Sequence, residues 1–193
     1  MRIVIIKYNA GNIHSVRLAL QRLGIDPLVS DDPEQIRAAD KVIFPGVGEA
    51  SSALQYLQEH YLDEIIIELK QPILGICLGL QLMCSHTQEN DTPCLGIFDC
   101  PVLKFPPTHK VPHMGWNTIV DLQGPLFEGI AEGSYVYFVH SYYACANGAI
   151  IARTEYSVPF AAALYKDNFY AVQFHPEKSG SIGEQILRNF IQL

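Results

Sequence analysis

Four short apolar runs, each followed by a stretch with helical spacing, fill the first 85 residues and set the fold class. Arg2 to Lys7 reads as a strand of branched residues. Tyr8-Asn9-Ala10-Gly11-Asn12 is a turn, with Asn12 placed to cap a helix. That helix carries an apolar stripe of Val16, Leu18, Ala19, Leu20 and Leu23, and Gly24 ends it. Ile25 to Val29 is a second strand, Pro33 to Ala38 a short helix, and Lys41 to Phe44 a third strand. After the tight loop Pro45-Gly46-Val47-Gly48, one long amphipathic helix runs through Leu54, Leu57, Tyr61, Ile65 and Leu69. The fourth unit, residues 72 to 85, is an apolar strand bounded by Pro72 that passes into a helix. Such alternation predicts an α/β fold: a mostly parallel central sheet with right-handed crossovers, flanked by helices. Ligands of such sheets bind beyond the carboxyl ends of the strands, where the 45 to 48 loop and the turn after Ile76 both fall.

The second half changes character. From Leu95 to Ala171 the segments are short, branched or aromatic, and separated by Gly, Pro and Asn. Tyr135 to Val139, Ala149 to Ala152, Phe160 to Tyr165 and Phe169 to Phe174 read as strands and hairpins, with a turn at Asp167-Asn168. They predict an additional antiparallel β section. A helix from Gly183 to Ile191 closes the chain. With no repeat, linker or low-complexity segment, residues 1–193 are expected to form a single domain.

The chain around the fourth strand carries chemistry. Gly75-Ile76-Cys77-Leu78-Gly79 is a glycine-flanked nucleophile at a strand-to-helix turn, the pattern of a nucleophile elbow. The glycines remove Cβ atoms that would clash in so sharp a turn. The helix beginning there favours thiolate over thiol. A buried core cysteine is the alternative for this segment alone. Far downstream, Val172-Gln173-Phe174-His175-Pro176-Glu177 ends the last strand. Pro176 pushes His175 towards extended geometry, and residues two apart then share a side, so His175 and Glu177 are placed together. A polar strand-to-loop corner would account for His-Pro-Glu in isolation. Beside the elbow it reads as a Cys77-His175-Glu177 triad, with a proton-transferring imidazole oriented by a carboxylate. Backbone N–H groups of Leu78 and of the Gly46-Val47-Gly48 loop are candidates for an oxyanion hole. That loop lacks the Gly-Lys-Ser/Thr of a phosphate-binding P-loop.

The balance of the composition excludes some functions. A net charge of −7 with no basic block argues against nucleic acid and anionic membranes as partners. The N-terminal apolar run is only four residues, Ile3 to Ile6, and no run approaches a membrane span, so a cytoplasmic protein is expected. Five cysteines without a CxxC argue against a disulfide framework. A zinc site would have to collect Cys94, Cys100, His109 and His113, at spacings too wide for a zinc knuckle and across a Pro-Pro pair, so no metal is expected.

Gly-Ile-Cys-Leu-Gly-Leu-Gln at 75 to 81 followed by His-Pro-Glu at 175 to 177 resembles the class I (triad) glutamine amidotransferases, from the first strand to the last helix. Residues 8 to 12, 45 to 48, Val111-Pro112-His113-Met114-Gly115-Trp116-Asn117 and Tyr137-Phe138-Val139-His140-Ser141-Tyr142 are similar to the glutaminase subunits of imidazole glycerol phosphate synthases. The resemblance implies a flavodoxin-like amidotransferase fold. It implies hydrolysis of glutamine to glutamate through a cysteinyl thioester, without cofactor. The ammonia would pass to a (β/α)₈ cyclase subunit in a heterodimer, which makes imidazole glycerol phosphate and AICAR from PRFAR in histidine biosynthesis. It carries glutamine binding onto Gly48, Gln81, Glu89, Ser141 and Tyr142, and a reorienting role onto Val47. It carries the cyclase interface onto Asn12, Trp116, Asn117, Tyr137 and Lys178. Trp116, between proline-rich segments, also suits an exposed anchor on general grounds. The chain departs from the family in its first loop, where Lys7 and Ala10 replace an acid and a glycine, and before Glu89, where Ser85-His86-Thr87-Gln88 is less acidic. The alternatives are the glutaminase of another amidotransferase, such as pyridoxal phosphate synthase, and a free-standing cysteine hydrolase of related fold.

Overall fold

The computed structural model describes residues 1–9, 12–145 and 148–193, so Ala10 and Gly11 of the first turn, with the departure at position 10, lie outside the described residues. In chain order the first half runs β1 (Ile3–Ile6), α1 (Ile13–Arg22), β2 (Leu28–Ser30), α2 (Pro33–Arg37), β3 (Lys41–Phe44), α3 (Ala50–Glu59), α4 (Leu62–Glu68), β4 (Ile73–Ile76) and α5 (Leu78–Met83). The second half runs β5 (His86–Thr87), β6 (Thr92–Pro93), β7 (Pro101–Lys104), β8 (His113–Ile119), β9 (Ser134–His140), β10 (Tyr142–Ala144), β11 (Ile150–Tyr156), β12 (Val158–Lys166), β13 (Phe169–Val172) and α6 (Gly180–Gln192).

The central sheet has the order β11-β12-β13-β4-β3-β1-β2. The five strands from β13 to β2 are parallel, and β12 and β11 extend them antiparallel. Every residue of β1, β3, β4 and β13 is buried. Their continuous apolar runs follow from helices covering both faces. Val4, Ile6, Val42, Phe44 and Ile73 point into one core with α3, α4 and α5, whereas Ile3, Ile5, Ile43, Leu74 and Ile76 point into another with α1 and α6. The expected antiparallel section divides into the sheet edge, a four-stranded sheet ordered β10-β7-β5-β6 in which β5 and β7 pair parallel, and the two-stranded antiparallel ribbon β8-β9.

Several local expectations shift. The single long helix expected after the 45 to 48 loop is two helices, α3 and α4. The His60 ring stacks on Tyr56 at 4.0 Å and its Nδ1 lies 2.9 Å from the Tyr56 carbonyl, so the helix ends there, and Tyr61 turns left-handed with φ 56°. The second strand begins at Leu28 rather than Ile25 because Ile25 belongs to the end of α1: its N–H donates to Leu20 and that of Gly24 to Gln21, a Schellman pair. Asn12 sits at the start of α1 with φ 73° but makes no side-chain cap. Strand β8 has no counterpart among the strands expected from the sequence. The last helix starts three residues early, at Gly180. A Cβ on Gly183 would lie 1.9 Å from the Pro176 carbonyl, so this glycine lets α6 rest directly on the His-Pro-Glu turn.

Candidate active site

Register assembles the site. β4 lies between β3 and β13, pairing Gly75 with Phe44 and Ile76 with Val172. The chain leaving each strand end therefore meets the others: Gly46 from β3, Cys77 from β4, Gln173 and His175 from β13. Cys77 N–H donates to the Val172 carbonyl at 2.8 Å, which ties the elbow to the next strand. Cys77 has φ 53° and ψ −102°, the strained geometry the flanking glycines make room for. A Cβ on Gly79 would lie 2.0 Å from the Phe44 carbonyl, and one on Gly75 would lie 2.9 Å from Met83 Sδ.

His175 is fully buried, and its Nδ1 lies 2.8 Å from Glu177 Oε1. Asn12 Nδ2 donates to that same oxygen, so its amide is spent on the carboxylate instead of the helix end. His175 Nε2 has no hydrogen-bond partner among the described residues. Burial opposes charge on this ring, but the Cys77 sulfur and the Glu177 carboxylate outweigh it and raise His175 to about 10. The arrangement favours a protonated imidazole at His175. Gln173, fully buried, donates from Nε2 to Cys77 Sγ at 3.6 Å.

A cleft of about 260 Å³ opens over the sulfur. Val47, Gly48, Leu78, Gln81, Glu89, Ser141 and Tyr142 all line it, as do Pro112, Val139 and His140. Gln81 Nε2 donates to the Tyr142 carbonyl at 2.9 Å and to Gln173 Oε1 at 3.1 Å. Glu89 Oε2 accepts from Ala50 N–H at 2.7 Å at the start of α3, and burial raises this carboxyl above its usual range.

The 45 to 48 loop is arranged differently. Leu78 N–H donates to the Gly46 carbonyl at 3.3 Å, so the loop's own oxygen takes the donor an oxyanion would use. Tyr8 OH donates to the Pro45 carbonyl and packs on Gly46, where a Cβ would lie 2.2 Å from the hydroxyl. Burial, then the charge of Cys77, pushes Tyr8 well above its usual range and keeps it a donor.

The β8-β9 ribbon lies over this end of the sheet. His175 N–H donates to the Tyr137 carbonyl at 2.9 Å. On the ribbon's outer face Trp116 pairs with Tyr137, their rings edge-on at 6.0 Å, and Lys178 Nζ stands 6.0 Å over the Tyr137 ring. Trp116 is 55% exposed, and Met114 and Tyr135, which the sequence did not single out, share its face at 57% and 60%. Asn117 turns to the other face: its Nδ2 donates to the Glu155 carbonyl at 2.9 Å and lies 3.4 Å from His113 Nε2. Asn12, as above, is engaged with Glu177. Lys7 pairs with Asp31 at 3.2 Å.

Of the cysteines and histidines weighed as a zinc set, Cys100 Sγ lies 3.6 Å from Cys84 Sγ and His113 Nδ1 lies 3.2 Å from His140 Nε2. Among the described residues no group of three or more His, Cys, Asp or Glu side chains is placed to hold a metal. Gln173, Asn12 as a support for Glu177, Tyr8 and the His113–His140 pair escaped the sequence reading. A period-two reading of β13 could have found Gln173, which stands two residues before His175.

Residues 4–193 match the family model for glutamine amidotransferase class-I. Curated relatives named imidazole glycerol phosphate synthase subunit HisH include one from Bacteroides fragilis, 56% identical, and one from Escherichia coli, 45% identical, each over all of this chain and all of the relative. Similar solved structures include a putative GMP synthase component from Thermoplasma acidophilum, with a TM-score of 0.76 at 22% identity over 100% of this chain and 93% of that one. Another, described as a glutamine amidotransferase, has a TM-score of 0.77 at 19% identity over 98% and 97%.

Proposed function

We propose that this chain, which belongs to the class-I glutamine amidotransferase family, hydrolyses glutamine with Cys77 as nucleophile, His175 as proton carrier and Glu177 as its orienting acid. Its function is that of the glutaminase subunit of imidazole glycerol phosphate synthase. The observation that carries the residue assignment is the line Glu177–His175–Cys77 at the carboxyl end of the parallel sheet, with the sulfur at the floor of the cleft.

Thiolate Cys77 attacks the side-chain amide carbon. The imidazolium of His175 protonates the leaving amide nitrogen, which departs as ammonia, and the neutral ring then activates water against the thioester. Glu177, steadied by Asn12, fixes the ring. Gln81, Glu89, Ser141, Tyr142 and Gly48 hold glutamine. With both amide hydrogens of Gln81 committed, its Oε1 is the atom that meets the substrate. Turning the Gly46–Val47 peptide would free Leu78 N–H and bring Val47 N–H inward, completing the oxyanion hole.

The partner is a (β/α)₈ cyclase subunit that receives the ammonia in a heterodimer and supports histidine biosynthesis in the cytoplasm. The exposed side chains of Met114, Trp116 and Tyr135, with the half-buried Tyr137 whose carbonyl accepts from His175 N–H, support that docking site. Cys77→Ala in the complex should lower glutamine-dependent synthesis by on the order of a thousandfold or more. Synthesis from ammonium salts should persist. A mutant complex that still consumes glutamine would contradict the assignment.

A further inference from the structure

We infer that Gln173 is a catalytic residue: its side-chain amide donates to Cys77 Sγ and stabilises the thiolate, and its orientation is fixed by a hydrogen-bond chain that ends on a backbone carbonyl. The inference rests on Cys77 being the nucleophile.

An amide can face a sulfur with either its nitrogen or its oxygen, so the direction of the chain decides the chemistry. The Tyr142 carbonyl can only accept. Gln81 therefore presents Nε2 to it, at 2.9 Å. The same Nε2 has a second hydrogen, which goes to Gln173 at 3.1 Å and requires Oε1 there. Gln173 is then left with Nε2 towards Cys77 Sγ, at 3.6 Å. The flipped amide would oppose nitrogen to nitrogen at Gln81 and oxygen to thiolate at Cys77.

His140 reinforces the anchor, since its Nδ1 lies 2.7 Å from the Tyr142 carbonyl. Gln173 itself cannot wander. It is fully buried, and its N–H donates to the Ala162 carbonyl at 2.8 Å in the sheet. The sulfur thus has two supports with different properties. His175 gives up its proton during turnover, and Gln173 is neutral throughout. When His175 has given its proton to the leaving nitrogen, the Gln173 amide still faces the sulfur, which helps it act again as a leaving group when water cleaves the thioester. A hydrogen bond to a charged group is stronger than one between neutral groups.

The test follows Cys77 itself, without glutamine. Iodoacetamide alkylation of the Cys77 peptide is measured by mass spectrometry from pH 5 to pH 10 in the full chain, with thermal unfolding recorded for each variant. Gln173→Met keeps the volume and removes the donor. Gln173→Glu keeps an acceptor for Gln81 but turns a second acceptor towards the sulfur. The expected result is about tenfold slower alkylation at pH 7 in Gln173→Met, a midpoint about one pH unit higher, and a larger loss in Gln173→Glu. The value of kcat in the cyclase complex should fall in the same order, with a smaller change in KM. A folded Gln173→Glu that alkylates and turns over like the parent would overturn the inference. A parent chain in which Cys77 is no more reactive than the other cysteines would instead overturn the nucleophile assignment.

Discussion

The two sides of Cys77 differ in readiness. Towards β13, a continuous set of hydrogen bonds holds the site: Asn12 and His175 on Glu177, Gln173 on the sulfur, Gln81 on Gln173. Towards β3, the loop turns the Gly46 carbonyl onto Leu78 N–H and fills the place where negative charge would develop. Cys77, the proposed nucleophile, is supported on its β13 side, whereas the Leu78 N–H proposed for the oxyanion hole is taken by the loop. The physical difference is one of anchoring. His175 and Gln173 are held by sheet register and by α6 packed through Gly183 on Pro176. Among the described residues, hydrogen bonds to the carbonyls of the 45 to 48 loop come from the Tyr8 hydroxyl and, at 3.3 Å, from Leu78 N–H. Such a division suits a glutaminase whose ammonia has value only when a partner stands ready. A peptide rotation costs little, whereas rebuilding a buried ion pair would cost far more.

The largest effect that would sharpen this contrast is expected from Val47→Pro, which removes the N–H that rotation of the loop would supply. Glutamine hydrolysis in the complex should fall about a hundredfold, the scale of one lost oxyanion donor, while iodoacetamide labelling of Cys77 stays as in the parent. Parallel losses in both assays would break the separation of the two sides. Asn12→Ala should act on the other side, lowering kcat about tenfold by loosening Glu177 and flattening the alkaline limb of the pH–rate profile set by His175. An unchanged profile would return Asn12 to an interface role alone.

A smaller effect concerns the support behind the cleft. Burial lowers His113 to about 4 and His140 to about 3, so both are neutral in the fold while an unfolded histidine titrates near 6.5. Their neutral contribution is complete above pH 6.5 and is lost as pH falls from there towards 4 and then 3. His175, raised to about 10, has the opposite sign: its contribution is present below pH 6.5 and is lost as pH rises towards 10. Urea midpoints should therefore decline on both sides of neutrality. His113→Asn should remove part of the acid decline and leave the alkaline one. An acid limb indifferent to that substitution would assign it to other groups.

Much of this was legible before any coordinates. Cys77, His175 and Glu177 belong to local patterns whose geometry is set by a few bonds: an elbow between glycines, and an i, i+2 pair before a proline. The parallel sheet was legible because fully buried strands are apolar throughout. What escaped depends on register between distant segments. Nothing near Asn12 announces that its amide will reach Glu177 rather than cap its own helix. Nothing in residues 111 to 119 shows a two-residue alternation strong enough to reveal β8, whose outer face carries the exposed apolar side chains Met114 and Trp116. The break between α3 and α4 turns on one histidine stacking back on Tyr56, which helix periodicity cannot register.

The most direct measurement compares two rates on the same sample: alkylation of Cys77 by iodoacetamide, and hydrolysis of glutamine. Both are followed for the chain alone, with the cyclase, and with the cyclase plus its ribonucleotide substrate. Alkylation needs the thiolate but no oxyanion hole. Rapid alkylation of the isolated chain, with hydrolysis near silence until the full mixture is assembled, is the predicted result. Alkylation that is slow alone and rises together with hydrolysis would mean that the partner builds the nucleophile too, and would contradict the account.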